Sequence, residues 1–342
     1  MSIKILIFDY KNSEKTFFSK NKFENYDLNF FEESLNEISV NNLPEELLET
    51  TEVISVFISS YITKKVLNKF KNLKIIATRS TGFEHIDVNT CCKKNIKVLN
   101  VEEFGKNAVA QYTFGLIISI LRKIPVAHQD LKKFHFNYNN YIGRDLNKLT
   151  IGVMGTGTIG AEVCRLANAF NMKILAFDIN ENKELTNNYS IKYTTKEDLI
   201  KNSDIITLHL PSGEATKNVI TRKEFANMKS SVYIINTSRG ELINTEDLYN
   251  ALIKKSIAGA ALDVTECEEI IFSTRQVANQ IKSMEQKCLA KGIITRIIAQ
   301  MPNVIATPHV AYNTQDALDE ILKKTFDSIE NCIQGGHANQ IN

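Results

Sequence analysis

The part of this sequence that most constrains the fold is a glycine-rich segment in the middle of the chain, IGVMGTGTIGAEVCRLANAFNMKILAFD at residues 151–178. The apolar residues 149–154 are typical of a buried strand, and a helical pattern begins directly after three glycines. These glycines, Gly155, Gly157 and Gly160, have the spacing G-x-G-x-x-G. A second apolar run, 172–177, ends at Asp178. Strand, glycine turn, helix, strand and terminal acid together predict a dinucleotide-binding unit, with a glycine turn of another α/β unit as the alternative.

Each part of this segment has a physical reason to bind a dinucleotide. The first glycine permits a tight turn, the second lets the pyrophosphate approach the backbone, and the third lets helix and strand pack closely. The helix N-terminus offers free N–H groups and a positive dipole end to the phosphates. Asp178 stands near the usual place of the acid that binds the ribose hydroxyls. Because its carboxylate repels a 2′-phosphate and Ile179 and Asn180 supply no arginine, the sequence predicts NAD rather than NADP.

The composition excludes several classes of partner. The 342 residues suggest two domains, and the formal net charge of +2 gives no argument for nucleic acid or an anionic membrane. No apolar run reaches the roughly 18 residues of a membrane span, and the N-terminal apolar run is too short for a signal peptide. We therefore expect a cytoplasmic protein that binds neither nucleic acid nor membrane. The six cysteines match no zinc or C-x-x-C spacing, so we expect reduced thiols and no metal.

Strand and helix patterns alternate on both sides of the glycine-rich segment. This alternation predicts an α/β fold with two doubly wound parallel-sheet, Rossmann-like domains, and ligands in a cleft between them at the carboxyl ends of the strands. Residues 108–124 form an apolar helix that Pro125 is expected to bend or end, and residues 270–301 form a helical insertion. The predicted strands are 3–8, 27–31, 52–58, 73–78, 96–99, 149–154, 172–177, 204–210, 232–236, 257–264 and 304–307.

Three ionisable residues follow the ends of predicted strands in the second half of the chain: Arg239, Glu268 and His309. Strand ends of one parallel sheet meet at the same edge, so these side chains can converge. Arg239 offers a planar cation for the carboxylate of a 2-keto acid, and His309 can protonate its carbonyl oxygen. A carboxylate at Glu268 raises the pKa of that imidazole and fixes its tautomer. The set suits hydride transfer with a nicotinamide, whereas each residue alone is more often a surface ion pair or a loop histidine.

The first domain offers a possible anion site after the strand 73–78. The backbone N–H groups of Ser80, Thr81 and Gly82 can form a small nest for a carboxylate, with a plain strand-to-helix turn as the alternative. Arg79, directly before them, is the only obvious basic residue at the strand ends of this domain.

Across nearly its whole length, the sequence resembles the D-isomer-specific 2-hydroxyacid dehydrogenases, and within that family the NAD-dependent D-lactate dehydrogenase branch. The segments that carry the resemblance are RSTGFEHID, NAVAQYTFGLIISILRKI, LTIGVMGTGTIG, LHLP, INTSRGELINTEDLYNAL, ALDVTECEE and TPHVAYNT. The resemblance implies a discontinuous substrate domain of residues 1–100 plus 313–342, around an NAD-binding domain of residues 101–312. It also implies a homodimer, with the interface at residues 108–124 and the Pro125 bend.

The resemblance also assigns site residues. Arg239 is implied to bind substrate, His309 to donate the proton and Glu268 to be its partner acid. Glu268 rather than Glu266 matches the second acid of the family pattern D-V-x-E-x-E. Residues implied to contact the pyrophosphate are Thr158 and Ile159, and those implied to line the cofactor are Leu210, Pro211, Thr216, Thr237, Ser238 and Asp263. Those implied to contact substrate are Thr81, Gly82, Phe104 and Tyr312.

The sequence departs from the family pattern at two positions, and the first of them leaves the substrate open. Phe104 stands where related lactate dehydrogenases often carry Tyr, and Tyr312 restores part of an aromatic wall. Cys267 replaces the usual proline or small residue between the two acids. The expected reaction is the interconversion of pyruvate and D-lactate. The alternatives are a sibling dehydrogenase for a larger keto acid, hydroxypyruvate or phosphoglycerate, and a non-enzymatic, NAD-sensing corepressor-like scaffold.

Overall fold

The structure, a computed structural model, describes residues 2–21, 23–102, 104–135, 137–268 and 286–342. It divides the chain into two compact units. The first consists of Met1–Gly105 and Asn313–Asn342, and the second of Lys106–Tyr312. The boundaries predicted from the sequence lie after residues 100 and 312, whereas the structure has them after Gly105 and Tyr312.

The first unit contains a five-stranded parallel sheet in the order β2-β1-β3-β4-β5. Its strands are β1 (Ile3–Ile7), β2 (Tyr26–Phe30), β3 (Val53–Val56), β4 (Ile75–Thr78) and β5 (Lys97–Leu99). Its helices are α1 (Lys15–Lys20), α2 (Glu45–Thr50), α3 (Lys64–Leu67) and α4 (Val88–Lys93), with α13 (Gln315–Ile333) added from the end of the chain. Side chains alternate between two cores, so that Ile54 and Ile76 face one while Val53 and Ile75 face the other, against Phe326 of α13.

The second unit contains a seven-stranded parallel sheet in the order β12-β11-β10-β9-β6-β7-β8. Its strands are β6 (Thr150–Met154), β7 (Lys173–Phe177), β8 (Ile191–Tyr193), β9 (Ile205–Leu208), β10 (Tyr233–Asn236), β11 (Gly259–Leu262) and β12 (Val304–Ala306). Its helices are α5 (Lys106–Leu121), α6 (Ile124–Lys132), α7 (Thr158–Ala169), α8 (Lys183–Asn188), α9 (Lys196–Asn202), α10 (Arg222–Asn227), α11 (Thr245–Ile253) and α12 (Gln286–Ala299). Helices cover both faces, as buried parallel strands require. The predicted fold class is confirmed.

The order of strands places the glycine-rich loop at a special point of the second sheet. From β6 the chain moves to β7 and β8 on one side, and then returns to β9 on the other side. At such a switch point the connections leave in opposite directions and open a crevice at the carboxyl ends of the strands. Gly155–Gly160 follows β6 and therefore lies at this crevice.

The helices around Pro125 differ from the prediction. The apolar helix ends at Leu121, because Lys123 adopts a left-handed conformation with φ +53°. Pro125 does not end that helix but stands in the first turn of α6, where its missing N–H removes no helical hydrogen bond. In the described part of the chain no single helix is long and apolar enough to span a membrane; α5 and α6 together pass that test, with a 59° bend between them.

Two further differences concern the second unit. The short strand β8 (Ile191–Tyr193) was not predicted, because its sequence IKY forms no apolar run. Of the predicted insertion 270–301, the structure describes α12, on which Arg296 is exposed. Residues 269–285, which include Arg275, lie outside the described residues.

Candidate active site

The glycine loop after β6 has the geometry that its sequence predicts. Gly155 has φ +93°, and a Cβ there would lie 2.5 Å from the carbonyl oxygen of His209, at the end of β9. A Cβ at Gly160 would overlap the carbonyl oxygen of Gly155, so α7 packs against the loop at this point. Around Gly157 nothing lies within 4 Å of such a Cβ. The backbone is therefore closely packed at Gly155 and Gly160 and leaves open space at Gly157, as a bound pyrophosphate requires.

Helix α7 presents hydrogen-bond donors at this opening. It begins at Thr158, and its N-cap residue Gly157 has no side chain that could accept from the first turn. The N–H groups of Ile159 and Gly160 donate to no acceptor within the described ranges. Free N–H groups and the positive end of the helix dipole fit the phosphates of a dinucleotide.

Asp178, directly after β7, is held beside the loop by three hydrogen bonds. Its Oδ2 accepts from the backbone N of Thr156 at 2.6 Å and from the Thr156 hydroxyl at 3.2 Å, and its Oδ1 accepts from the N–H of Asn180 at 2.9 Å. The hydroxyl of Tyr193 donates to Thr156 Oγ1 at 2.9 Å. Thr156 and Tyr193 were missed by the sequence analysis, although Tyr193 ends the strand next to β7.

The residues expected to line the cofactor follow β9 and β10, on the other side of the switch point. Ser238 Oγ donates to the carbonyl of Leu210 at 2.6 Å and thus joins the ends of these two strands. Thr216 Oγ1 donates to the carbonyl of Pro211 at 2.6 Å, which closes the turn after β9. Thr237 is buried at the end of β10. All five lie on the connections that leave this edge of the sheet.

Asp263 follows β11 and has several partners within the second unit. Its side chain is fully buried. Oδ1 accepts from the Thr307 hydroxyl at 2.6 Å and from the N–H of Val310 at 3.0 Å, and Oδ2 accepts from the N–H of Ala311 at 2.8 Å. In this geometry Asp263 fixes the turn that carries His309, and its contact with the cofactor stays a prediction.

His309 and Glu268 form a close pair. The Nδ1 atom of His309 lies 2.7 Å from Oε1 of Glu268, and both side chains are about one quarter to one third exposed. His309 has φ +53°, an uncommon conformation for a residue with a side chain, and its N–H donates to the carbonyl of Asp263 at 2.9 Å. Because Nδ1 is bonded to the carboxylate, Nε2 is the nitrogen left to act on a substrate.

Burial disfavours the protonated form of His309, but other groups outweigh it. The hydrogen bond to Glu268 and the negative charges of Glu268 and Asp263 favour the imidazolium, whereas the charge of Arg239 opposes it. The net result is that the pKa of His309 is raised above its usual value. Such an imidazolium is suited to donate a proton near neutral pH.

Arg239 follows β10 and is half-buried. Asn236 Nδ2 donates to the carbonyl of Arg239 at 2.9 Å, and the Arg239 side chain donates from Nη1 to the carbonyl of Ser238 at 2.9 Å. Its guanidinium is near enough to affect the protonation of His309. The second unit therefore brings Arg239, Glu268 and His309 to one edge of its sheet.

Glu266, the other acid of the D-V-x-E-x-E pattern, has structural partners. Its carboxylate pairs with Nζ of Lys291 on α12 at 2.5 Å and accepts from the Thr245 hydroxyl at 2.7 Å. These bonds connect the turn after β11 to two helices. Glu268, rather than Glu266, is therefore the acid that faces His309.

In the first unit, the turn after β4 presents the backbone groups expected to hold a carboxylate. The N–H groups of Thr81 and Gly82 donate to no acceptor in the part of the chain that the structure describes. Thr81 Oγ1 donates to the carbonyl of Val101 at 2.9 Å, which fixes the turn. Phe104, also in this unit, is half-buried. Tyr312, the last residue of the second unit, has its ring edge-on to His309, with 6.3 Å between ring centroids.

Arg79 is 2 % exposed and already has partners. Its Nε lies 3.4 Å from Glu14 Oε1, and Nη2 donates to the carbonyl of Phe8 at 2.7 Å and to that of Asp9 at 3.2 Å. This guanidinium joins the segments after β1 and β4. It is not available to a phosphate group on a substrate.

The cysteines correct the expectation of reduced thiols throughout. Cys267 and Cys288 form a disulfide with their Cα atoms 5.6 Å apart. The bond joins the turn that carries Glu268 to the first turn of α12. Sequence spacing could not show this, because the two cysteines meet only when α12 packs back against that turn. The free cysteines of the described chain are Cys91, Cys92, Cys164 and Cys332.

A glycine loop at a switch point, an acid after the next strand and an imidazole–carboxylate pair are typical of a dinucleotide-dependent oxidoreductase. Comparison with known proteins gives the family. Residues 114–311 match the family described as D-isomer specific 2-hydroxyacid dehydrogenase, NAD binding domain. The chain is 30 % identical to D-lactate dehydrogenase of Lactiplantibacillus plantarum over 345 residues, 98 % of each protein. It is 35 % identical to an aromatic 2-oxoacid reductase of Clostridium sporogenes over 291 residues, 84 % of this chain and 85 % of the other.

A solved structure of D-lactate dehydrogenase from Aquifex aeolicus, complexed with NAD and lactic acid, superposes with a TM-score of 0.82 at 32 % identity and covers 98 % of both chains. The chain belongs to the D-isomer-specific 2-hydroxyacid dehydrogenase family. It is an NAD-dependent 2-hydroxyacid dehydrogenase, so the predicted family and cofactor are confirmed.

Proposed function

We propose that this enzyme reduces pyruvate to D-lactate. The observation that carries the proposal is the His309–Glu268 pair, together with Arg239 at the same sheet edge. The chain's similarity to D-lactate dehydrogenases and to a protein described as the pyruvate reductase of Chlamydomonas reinhardtii, at 25 % identity and a TM-score of 0.86, supports pyruvate as the substrate.

The roles of the residues follow from their chemistry. NADH supplies the hydride when it is bound. Arg239 pairs with the substrate carboxylate through its planar guanidinium and thereby orients the keto group. His309 donates a proton from Nε2 to the oxygen that develops negative charge, and Glu268 keeps Nδ1 bonded so that the ring is held and protonated. For the first unit, we keep the N–H groups of Thr81 and Gly82 as proposed donors to a carboxylate.

A larger, aromatic 2-oxo acid is the second candidate substrate. The aromatic 2-oxoacid reductase of C. sporogenes is as similar to this chain as the lactate dehydrogenases are. Phe104 also removes a hydroxyl that a small polar site would use. By contrast, the buried pairing of Arg79 with Glu14 argues against phosphoglycerate, and the paired His309 and Glu268 argue against a scaffold without activity.

The test is a comparison of NADH oxidation with pyruvate, phenylpyruvate and hydroxypyruvate, followed by stereochemical analysis of the product. The highest kcat/KM with pyruvate, and D-lactate as product, support the proposal. A higher kcat/KM with phenylpyruvate favours the second candidate. The absence of turnover with every keto acid, in protein that still binds NADH, would refute an enzymatic role.

We also infer a homodimer. Most side chains of residues 108–121 are buried in the core of their own unit, so we place the interface at α6 and the segment that follows it rather than along the helix 108–124. No residue of α6 is buried, and large apolar side chains are exposed there, including Phe134 at 88 % and Tyr138 at 84 %. Such a patch marks an interaction surface. Sedimentation velocity should show a dimer that Phe134→Asp disrupts, while Ile253→Asp, at an exposed position of α11, leaves it intact. A monomeric wild type contradicts the inference.

We likewise propose a cytoplasmic location, which cell fractionation tests.

A further inference from the structure

Tyr193 connects three segments around the ribose-binding acid. It is the last residue of β8 and is half-buried. Its hydroxyl donates to Thr156 Oγ1 at 2.9 Å, inside the glycine loop, and accepts from the N–H of Asn182 at 3.0 Å. Asn182 is the N-cap of α8 and ends the turn that begins at Asp178.

These hydrogen bonds form a chain with one direction. A hydroxyl carries a single proton, and Thr156 gives its proton to Asp178 Oδ2. Thr156 Oγ1 must then accept from Tyr193, which in turn accepts from Asn182. Each donor therefore points towards the carboxylate, and hydrogen bonds in such a series strengthen one another.

We propose that Tyr193 is a positioning residue for cofactor selection. It holds the Thr156 hydroxyl, and through it the Asp178 carboxylate, in the orientation that accepts from the ribose hydroxyls and repels a 2′-phosphate. This role requires no direct contact between Tyr193 and the cofactor. The inference rests on the proposed contact between Asp178 and the ribose.

Two physical effects give Tyr193 this influence. A carboxylate that must be ordered during binding loses rotamer freedom at that step, whereas one ordered beforehand does not. The same hydroxyl also accepts from the N–H of Asn182 and so fixes the segment between Asp178 and Asn182. Without it, the Thr156 hydroxyl can rotate away and the turn loses a hydrogen bond.

The first experiment measures binding rather than turnover. Isothermal titration calorimetry of the full-length protein with NADH and with NADPH compares wild type with Tyr193→Phe. Loss of one net hydrogen bond predicts an NADH Kd about threefold to tenfold higher. The NADPH Kd should change less, so the preference for NADH falls. An unchanged NADH Kd, or equal losses for both cofactors, overturns the proposal.

A matched control is Tyr141→Phe. It removes a tyrosine hydroxyl that donates to a carboxylate, that of Asp130, at the same distance of 2.9 Å but on α6. This variant should bind both cofactors as the wild type does. A loss equal to that of Tyr193→Phe would mean that any such deletion weakens binding, and would overturn the proposal.

Two further variants test the route through Thr156 and the premise about Asp178. Thr156→Val keeps the backbone N–H bond to Asp178 but removes the hydroxyl. If Tyr193 acts through that hydroxyl, the double variant with Tyr193→Phe should have an NADH Kd no higher than that of the weaker-binding single variant. Additive losses overturn the proposed route. Asp178→Ala should abolish the preference for NADH. If it keeps the preference, the assignment of Asp178 fails and the inference with it; if only Tyr193→Phe is without effect, the inference alone fails.

Discussion

The pairing of His309 with Glu268 predicts how the enzyme responds to pH when that pair is broken. Reduction requires the protonated imidazole, so kcat/KM for the keto acid is highest below the pKa of His309 and falls as pH rises through it. Glu268→Gln removes the hydrogen-bonded negative charge that most favours the imidazolium. Burial and the charge of Arg239 are then opposed by Asp263 alone, and the pKa of His309 must fall. The descending limb of the pH profile therefore moves to lower pH.

The size of the effect follows from the 2.7 Å contact. A hydrogen bond to a charged group contributes about 1.5 to 3 kcal/mol. Since about 1.4 kcal/mol is a factor of ten, kcat/KM above the new limb should fall roughly 10- to 100-fold. At pH values below both limbs, where His309 is protonated in either protein, the loss should be much smaller. Oxidation of the 2-hydroxy acid needs the neutral imidazole, so the ascending limb of that pH profile should also move to lower pH.

The assay is the initial rate of NADH oxidation with the preferred keto acid across the pH range in which the protein stays folded, with the NADH Kd measured at each end. Glu266→Gln is the matched control, because Glu266 pairs with Lys291 and Thr245 rather than with His309. The descending limb of the Glu266→Gln pH profile should lie at the same pH as that of the wild type. If Glu268→Gln and wild type lose activity at the same pH, Glu268 does not set the protonation of His309 and the reasoning is wrong.

Three other changes test the second unit. Arg239→Lys should raise the KM for the keto acid about tenfold or more and spare the NADH Kd, because the planar fork is lost; an unchanged KM contradicts its role. Gly160→Ala should lower the free energy of unfolding by about 1 to 3 kcal/mol in urea denaturation, whereas Gly157→Ala should mainly weaken NADH binding; the reverse order would refute the loop geometry. Reduction of Cys267–Cys288 by dithiothreitol should lower stability by about 3 kcal/mol, and a Cys288→Ser variant should not respond; free-thiol counts that show no bond rule it out.

Most of the second sheet could be predicted from sequence because its signals are local. The unit β6–α7–β7 shows apolar runs, a change of period and three glycines within 28 residues, and the structure reproduces each in order. Arg239, Glu268 and His309 could be named for a related reason. Each lies three to six residues after the end of a recognisable strand, and parallel strands bring their ends to one edge.

The rest depends on contacts between distant segments. The end of α5 is set by the left-handed Lys123, for which the sequence carries no signal, so Pro125 was given the wrong role. Tyr193 acquires its function only because β8 pairs with β7 and places a hydroxyl beside the glycine loop. The disulfide likewise depends on how α12 packs. In each case the local sequence pattern indicates whether a segment is a helix or a strand, whereas the packing of distant segments determines which side chains come into contact.

Arg79 shows how this difference affects the choice of substrate. As a basic residue after a strand, it resembles a ligand for a charged substituent. In the structure the guanidinium is buried and bonded to Glu14 and to the carbonyls of Phe8 and Asp9, and burial lowers its pKa. Since Arg79 is already paired, Arg239 is the arginine among the described site residues that is placed to balance a substrate carboxylate. Substrates of this enzyme should therefore differ in their apolar side chains rather than in added charge, which is why pyruvate and phenylpyruvate are the informative pair to compare.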